Sequence, residues 1–418
     1  MMTCLCAQAQ GDSESSQRLT VGGYGEAVFT RGFYSNNPYR YMYADRYKGA
    51  PGHSQVDLPH VVLNLGYDFG SGWTMGTEIE FEHGGVEASI EVEGDEAIEI
   101  EHEIERGGEV FLEQFWIQKS VSRALNIRTG MIILPVGLTN TRHEPDKFFT
   151  VYRPEGESTI LPCTWHQIGV SVWGNVGDFK YEVQLVPGLN SRLFNNSSWV
   201  AGGSASPYEY TVANTPAGVL RIDNYSVKNL RLGLSGYIGG TANDAYPRSV
   251  SSSGVASSVV NGTLLIGTFD FEYKGQKIVA RGNADYGYLG NAAAIGTANK
   301  NSDNSTFSPY QHSLVGKNAM AFGAEAGLDV FSYSDKMSLK GQKLFVFGRC
   351  EWYDSYVPSE GQNDYRWSDR TKLAIGINWK PVSEIILKAE YSHRILRSQY
   401  NNEPSISLGI TYSGFFRH

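Results

Sequence analysis

One connection in the middle of the chain concentrates charged side chains of both signs. It runs from Leu138 to Cys163, and three prolines stiffen it. If the flanking elements form the wall of a pore, such a loop folding inward narrows the pore and sets its charge filter. The residues predicted to form this constriction are Arg142, Asp146, Lys147, Arg153, Glu155 and Glu157. The alternative is an exposed loop whose charges are solvated.

Signatures of enzymes and of metal centres are missing from the sequence. It contains no GxSxG, no GxxxxGK[ST], no HExxH and no paired CxxC. Pro145 directly follows His143 and Glu144, which rules out a helical metal motif there. Cys163 and Cys350 have no His or Cys nearby at ligand spacing. We therefore expect no catalytic residues, no metal site and no cofactor, although a site assembled across strands remains an alternative.

The charge of the chain is unevenly distributed. The formal net charge is −9, and the stretch from Glu87 to Glu105 carries acidic side chains and no Lys or Arg. No basic face is evident, so nucleic acid is not an expected partner. The acidic stretch alternates Ile and Val with Glu around Gly94, which predicts a hairpin that extends two strands. A solvated acidic loop is equally compatible, and closely spaced carboxylates in a hairpin could attract divalent cations.

The sequence pattern predicts that the elements carrying these charged side chains are β-strands. Phe179, Tyr181 and Val183 alternate with Lys180 and Glu182, and the same period of two recurs along the whole chain. One face of each segment is apolar and the other is polar or charged. The residues predicted to line the interior are Glu78, Glu80, Glu82, Arg128, Arg281, Asp285, Arg349, Glu351, Lys388, Glu390 and Arg394.

Three features favour a transmembrane barrel over a soluble sandwich. About sixteen segments of roughly ten residues each would span a bilayer at the tilt of a barrel. Short turns such as Gly70-Ser71-Gly72 follow the even strands, and long connections follow most odd ones. Aromatic residues, among them Trp73, Trp173 and Trp379, lie at segment ends, as in interfacial girdles. We expect an all-β, antiparallel transmembrane β-barrel with short periplasmic turns and long extracellular loops.

The N-terminal residues predict secretion. Ala7-Gln8-Ala9 resembles a signal-peptidase site, so residues 1–9 are interpreted as the end of a signal peptide. Residues 10–18 are polar and are expected to be flexible. The barrel is expected over residues 19–418, in the outer membrane of a bacterium.

Four short segments of the chain resemble a known family. The segments DKFFTVYRPE (146–155) and TILPCTWH (159–166) are similar to a motif of outer-membrane porins distantly related to the phosphate-selective porins O and P. The segments GRCEWYD (348–354) and KAEY (388–391) resemble later strands of that family. The resemblance implies a sixteen-stranded, often trimeric, passive channel. Phosphate-selective members carry a ladder of basic residues inside the pore, whereas the interior predicted here has both charge signs.

The leading hypothesis is therefore a porin for passive diffusion of small hydrophilic solutes or ions, with mixed or weakly cation-favouring selectivity. Its expected partners are outer-membrane lipid, the solutes, the barrel-assembly machinery and, from the family resemblance, two further copies in a homotrimer. An adhesin or structural barrel acting through its outer loops is the first alternative. A barrel enzyme is the second.

Overall fold

The computed structural model describes residues 18–84, 88–94, 100–106, 109–206, 209–242, 248–250, 256–258, 260–301, 313–338, 340–364 and 366–417. The strands are β1 (Leu19–Gly32), β2 (His53–Asp57), β3 (His60–Gly70), β4 (Trp73–Glu82), β5 (Ala88–Gly94), β6 (Ile100–Arg106), β7 (Glu109–Ser122), β8 (Leu125–Ile133), β9 (His166–Val176), β10 (Phe179–Pro187), β11 (Pro216–Asn224), β12 (Leu230–Gly240), β13 (Arg248–Val250), β14 (Ala256–Ser258), β15 (Thr263–Lys274), β16 (Ile278–Leu289), β17 (Asn318–Asp329), β18 (Lys343–Val357), β19 (Asp369–Lys380), β20 (Ile385–Ile395) and β21 (Glu403–Arg417). The α-helices are α1 (Ala44–Tyr47), α2 (Glu155–Ile160), α3 (Ala292–Lys300) and α4 (Asp335–Ser338). Single turns of 3-10 helix occupy Pro38–Arg40, Asn140–Arg142, Ser191–Leu193, Ala201–Ser204, Val330–Tyr333 and Arg366–Ser368. Within the described ranges, no helix is long and apolar enough to cross a membrane.

Sixteen of these strands close into one antiparallel barrel. Neighbours in sequence pair throughout, and β21 returns to pair with β1, so that the sheet has no open edge. The short strand β2 pairs with the outer end of β1, beyond the pairing of β1 with β3. The predicted strand number and architecture are confirmed. A closed barrel is one of only two ways to satisfy every backbone group within lipid.

The connections follow the predicted parity. Short turns join β3 to β4, β7 to β8, β9 to β10, β15 to β16 and β19 to β20 at one end of the barrel. The connections 33–59, 134–165 and 188–215 belong to the other end and are long. The connection from β17 to β18 is an exception, since it lies at the short-turn end and contains a 3-10 turn and α4.

The two faces of the barrel differ in polarity. Apolar side chains such as Leu185, Leu234 and Ile375 are exposed on the outer face. Charged side chains such as Glu182 and Arg349 alternate with apolar positions and are buried inside. In a soluble barrel the apolar side chains face inward, so the polarity of the two faces is reversed here. The apolar outer face provides a band for lipid contact.

Part of the interior is a packed apolar core. Side chains of the connection 134–165 meet side chains of the connection 188–215, of α3 and of the barrel strands β10 to β12 and β15 to β18. Trp199 is fully buried there. A Cβ atom on Gly287 would lie only 1.9 Å from the Trp199 ring. The glycine thus allows the inserted connection to lie directly against β16.

The acidic segment forms the hairpin that the sequence predicted. Strands β5 and β6 pair with each other and not with the barrel, in a register that places Glu91 opposite Glu103 and Glu93 opposite Glu101. Residues 95–99 lie outside the described residues, as do residues 1–17, which contain the predicted signal remnant and most of the predicted flexible N-terminus.

Candidate functional site

The connection from Leu134 to Trp165 lies inside the barrel. Leu134, Val136, Ile160 and Trp165 are buried and pack into the interior core. The Trp165 ring contacts that of Tyr237 on β12, with 4.9 Å between centroids. We call this connection the inner loop. Its apolar side chains fix it to one side of the barrel, and polar contacts fix the remainder.

Lys388 on β20 holds the inner loop by its backbone. Its Nζ atom donates hydrogen bonds to the carbonyl oxygens of Pro145, Phe148 and Thr150, at 2.7, 3.1 and 2.8 Å. These bonds use all three protons of the ammonium group. A side chain predicted to line an open pore therefore supports the loop instead.

Carboxylates on three strands of the barrel, β17, β18 and β20, accept hydrogen bonds from the backbone of the inner loop. Glu325 accepts from the N–H of Phe149 at 3.1 Å, and Glu390 accepts from the N–H of Val151 at 2.7 Å. Glu351 accepts from two successive N–H groups at the start of α2, both at 3.1 Å. Charge-assisted bonds of this kind are worth roughly 1.5–3 kcal/mol each. The barrel wall thus fixes the loop from three strands.

Within the inner loop, Glu157 closes a tight turn. Its carboxylate accepts from the N–H groups of Leu138, Thr139 and Asn140, at 2.9, 2.7 and 3.2 Å. Gly137 has a φ of +76°, and a Cβ atom there would lie 2.3 Å from a Glu157 oxygen. Burial raises the pKa of Glu157 to about 7, although the three backbone donors act to lower it.

Glu155 joins the inner loop to a basic group on the wall. Its carboxylate lies 3.0 Å from Nζ of Lys372 and 2.6 Å from Nη2 of Arg394, and it accepts from the hydroxyl of Tyr353. Burial acts to raise the pKa of Glu155, but the charges of Arg394 and Lys372 hold it well below its usual range.

A group of mainly acidic side chains lies on strands β3, β4 and β7 of the barrel wall. It comprises Glu78 and Glu80 on β4 and Glu113 on β7, with His60 on β3 and His143 of the inner loop against them, and we call these five residues the acidic wall cluster. His60 Nδ1 lies 2.6 Å from Glu80, and His143 Nε2 lies 3.8 Å from Glu78. Burial lowers the pKa of His143, but the neighbouring carboxylates outweigh it and raise the value to about 9.

Two sets of residues in this region could hold a metal ion by distance. In each set, one ligand atom per residue lies within 4.8 Å of the others. One set is Glu78, Glu113 and His143, all buried. The other is His60, Glu80 and Glu82, which is partly open. The sequence predicted no metal site because these ligands come from separate strands and a loop.

A second charged group extends across β11, β12 and β15. Arg221 lies 2.9 Å from Asp223 and 3.0 Å from Asp270, while Arg231 contacts the same two carboxylates at 2.8 and 2.6 Å. All four are buried. These four residues are not among the predicted lining residues, although the alternation of Arg221 and Asp223 with Leu220 and Ile222 marks those two as inward-facing.

A polar cavity of about 660 Å³ adjoins the inner loop. Its lining includes six basic and six acidic side chains: Arg18, Arg128, Arg142, Lys147, Lys180 and Arg221, and Asp68, Glu78, Glu144, Asp146, Glu182 and Asp223. The lining is thus balanced in formal charge.

The structure divides the predicted constriction residues into two groups. Arg142, Asp146 and Lys147 line the cavity. Arg153, Glu155 and Glu157 instead make contacts within the loop or with the wall, and Arg153 donates to the His143 carbonyl at 3.3 Å.

The predicted lining residues divide in a similar way. Glu78 and Arg128 face the cavity. Lys388, Glu390 and Glu351 bind inner-loop backbone. The others pair with neighbouring side chains: Arg281 and Arg349 with Glu325, Asp285 with Asn283, Glu80 and Glu82 with His60, and Arg394 with Glu155 and Glu403. Most of the predicted lining residues are therefore held by the inner loop or by neighbouring side chains and do not face an open pore.

The chain is similar in sequence to a curated protein and similar in fold to many solved structures. No protein-family model matches the chain. An uncharacterized protein of Aquifex aeolicus is 27% identical over 397 residues, which cover 92% of this chain and 78% of that one. The anion-selective porin from Comamonas acidovorans superposes with a TM-score of 0.53 at 10% identity, over 95% of this chain and 99% of that one. The fold is that of an outer-membrane porin.

Two further solved structures share this porin fold. The outer membrane channel DcaP of Acinetobacter baumannii has a TM-score of 0.52 at 13% identity, over 95% of this chain and 97% of that one. OmpT of Vibrio cholerae, in a trimer form, has a TM-score of 0.50 at 10% identity, over 95% of this chain and 100% of that one.

Proposed function

We propose that this protein is a porin of the bacterial outer membrane, through which small hydrophilic solutes and ions diffuse passively. The observation that carries the proposal is the inner loop: it lies inside a closed barrel and adjoins a polar cavity of about 660 Å³. The twelve charged side chains that line this cavity are suited to hydrated solutes and are not expected in the interior of a fully packed barrel. The apolar outer face supports a location in lipid.

The constriction in this proposal is formed by Arg142, Asp146 and Lys147 of the inner loop, opposite Glu78 and Arg128 of the wall. Asp146 and Lys147 pair with each other at 2.7 Å, so neither sign dominates locally. The balanced lining argues against strong selectivity for either sign. The acidic hairpin of β5 and β6 adds negative charge outside the barrel, which favours cations weakly within a Debye length of about 10 Å.

Liposome swelling tests the diffusion of neutral solutes. Liposomes containing the refolded protein should swell in isotonic arabinose or glucose faster than empty liposomes, and more slowly as the sugar becomes larger. Heat-denatured protein provides the matched control. A barrel that migrates as folded on gels but leaves swelling at the level of empty liposomes contradicts the porin proposal and favours the adhesin or structural alternative.

A porin must be inserted into the outer membrane, and many porins assemble there as oligomers. We expect the barrel-assembly machinery to insert the chain, and we expect a homotrimer, in keeping with the family resemblance and with the trimer form of OmpT. Light scattering of the detergent-solubilised protein, corrected for bound detergent, would give three chains per particle. A mass of one chain at all protein concentrations would contradict the trimer.

A further inference from the structure

The ligand set in the acidic wall cluster joins the inner loop to two strands. Glu78 lies on β4, Glu113 on β7 and His143 on the inner loop, and one ligand atom from each lies within 4.8 Å of the other two. Glu78 and His143 also line the polar cavity, so an ion could reach them from solvent. The three side chains thus form a cup that opens toward the cavity.

A β-bulge directs Glu113 into this cup. The pairing of β4 with β7 shifts at Glu78 and Ile79, so that Gln114 and Leu112 have partners and Glu113 is the extra residue. Bulges of this kind redirect a side chain and are frequent beside functional sites. The Glu113 side chain is 1% exposed although its strand neighbour Leu112 faces outward.

The Glu113 carboxylate lacks a close hydrogen-bond or ion-pair partner among the described residues, although the His143 imidazole lies within 4.8 Å of it. Neither of its oxygens accepts a hydrogen bond there, and no Lys, Arg or His of the described chain lies within ion-pair distance of it. An ionised carboxylate buried without a partner costs several kcal/mol. A cation bound between Glu113 and His143, in place of the proton on Nε2 of His143, would compensate this charge at close range.

The orientation of His143 matches that of a metal ligand. Its Nδ1 atom lies 3.1 Å from the carbonyl oxygen of Asn140, to which the Nδ1 proton is donated. That bond leaves Nε2 with a lone pair when the ring is neutral, and Nε2 is buried without a hydrogen-bond partner among the described residues. Metal-binding imidazoles are typically oriented by such a bond from the other ring nitrogen.

Glu78 is supported in the same way. Its Oε2 atom accepts from the side-chain amide of Gln114, which leaves Oε1 facing Nε2 of His143 at 3.8 Å. That distance is too long for a hydrogen bond but allows an ion between the two atoms, at about 2.0–2.2 Å from each.

We propose that Glu78, Glu113 and His143 bind a divalent transition-metal ion, with Zn²⁺ as the best match. One imidazole nitrogen and two carboxylate oxygens form a three-ligand set for Zn²⁺, and water from the cavity takes the fourth position. On binding, the ion displaces the Nε2 proton of His143 to solvent and compensates the charge of Glu113 directly. Because His143 belongs to the inner loop, the bound ion fastens that loop to β4 and β7.

Zinc titration of the folded barrel in detergent tests the site without depending on channel activity. Protein is stripped with EDTA, dialysed and titrated with Zn²⁺ by calorimetry as wild type, Glu113→Gln, His143→Asn and Glu182→Gln. Glu182 is the matched control because it is another buried interior carboxylate, held by Ser171 at 2.7 Å. Heat-modifiable gel migration establishes that each variant is folded.

Wild type and Glu182→Gln should bind Zn²⁺ alike. Glu113→Gln and His143→Asn should each lose one equivalent, or bind it roughly a hundredfold more weakly, since even outer-shell changes cost 10–100-fold. Replacing Zn²⁺ with Co²⁺ should give a visible absorption band in wild type that both variants lack. Wild type without binding, or both ligand variants binding like wild type, would overturn the proposal; the second result would assign the zinc to other groups such as the acidic hairpin.

Discussion

Arg394 of β20 and Glu155 of the inner loop form an ion pair across the barrel interior, with 2.6 Å between Nη2 and Oε1. Their residue numbers are far apart, yet the pair lies beside two further partners of Glu155, which are Lys372 and Tyr353. One carboxylate thus connects the start of α2 to three side chains on three strands.

Replacement of Glu155 by Ala should loosen this part of the inner loop. The change leaves Arg394 and Lys372 as neighbouring positive charges, so the loop loses an attachment worth about 1–3 kcal/mol, a value reduced by the partial exposure of the pair. We expect a larger and noisier single-channel conductance. Ser158→Ala is the control, since that hydroxyl bonds only to backbone of the loop itself. Equal noise in both variants would contradict the tether.

Replacement of Lys388 by Met should expose the inner loop to protease. The three backbone carbonyls that Lys388 binds lose their donor, at a cost of roughly 1.5–3 kcal/mol for each bond. Trypsin should then cut after Lys147 in the folded barrel, as mapped by mass spectrometry, while wild type resists. Lys343→Met, at an exposed position on β18, should behave as wild type. Cleavage at the same rate in all three proteins would refute the role of Lys388.

The attachment of the inner loop should weaken as the pH rises. The pKa of Glu157 is raised from its ordinary value of 4.5 to about 7, so the closed loop binds this proton more tightly than a released loop does. Its contribution is therefore complete below about pH 4.5 and is lost as the pH rises through about 7. Conductance noise should be greater at pH 8 than at pH 5. Glu157→Gln, which is uncharged throughout, should lose this difference; a variant that retains it would show that another group titrates.

Replacement of Gly287 by Ala should destabilise the barrel. The new methyl group would stand 1.9 Å from the Trp199 ring, and overpacking of this kind costs about 1–3 kcal/mol. We expect the variant to lose its folded gel migration at a lower temperature. Gly267→Ala is the matched control on β15, where a Cβ atom meets nothing within 4 Å. An unchanged transition for Gly287→Ala would mean that Trp199 can move aside.

Sequence alone predicts the barrel well because its signals are local. A period of two fixes which side chains face inward at Glu182 and Arg349, and the parity of the connections follows from strands that alternate in direction. The inward orientation of Lys388 follows from the same pattern. Its partners do not, because Thr150 lies far away in the chain and is reached only through the path of the inner loop.

The acidic wall cluster shows a different limit. Glu113 breaks the alternation of β7 because a bulge shifts the register there, and a bulge leaves no mark in a single sequence. Pro145 rules out a helical metal motif at His143, yet a loop residue can lie beside carboxylates on other strands. Sites that are assembled across strands require the tertiary structure.

Single-channel recording in planar bilayers tests the central claim most directly. The wild-type protein, purified in detergent and added to one side under a salt gradient, should insert in discrete conductance steps with a small reversal potential that indicates weak cation preference. A folded barrel that yields no steps would contradict the porin function, and a large reversal potential of the opposite sign would contradict the mixed lining of Arg142, Asp146, Lys147 and Glu78.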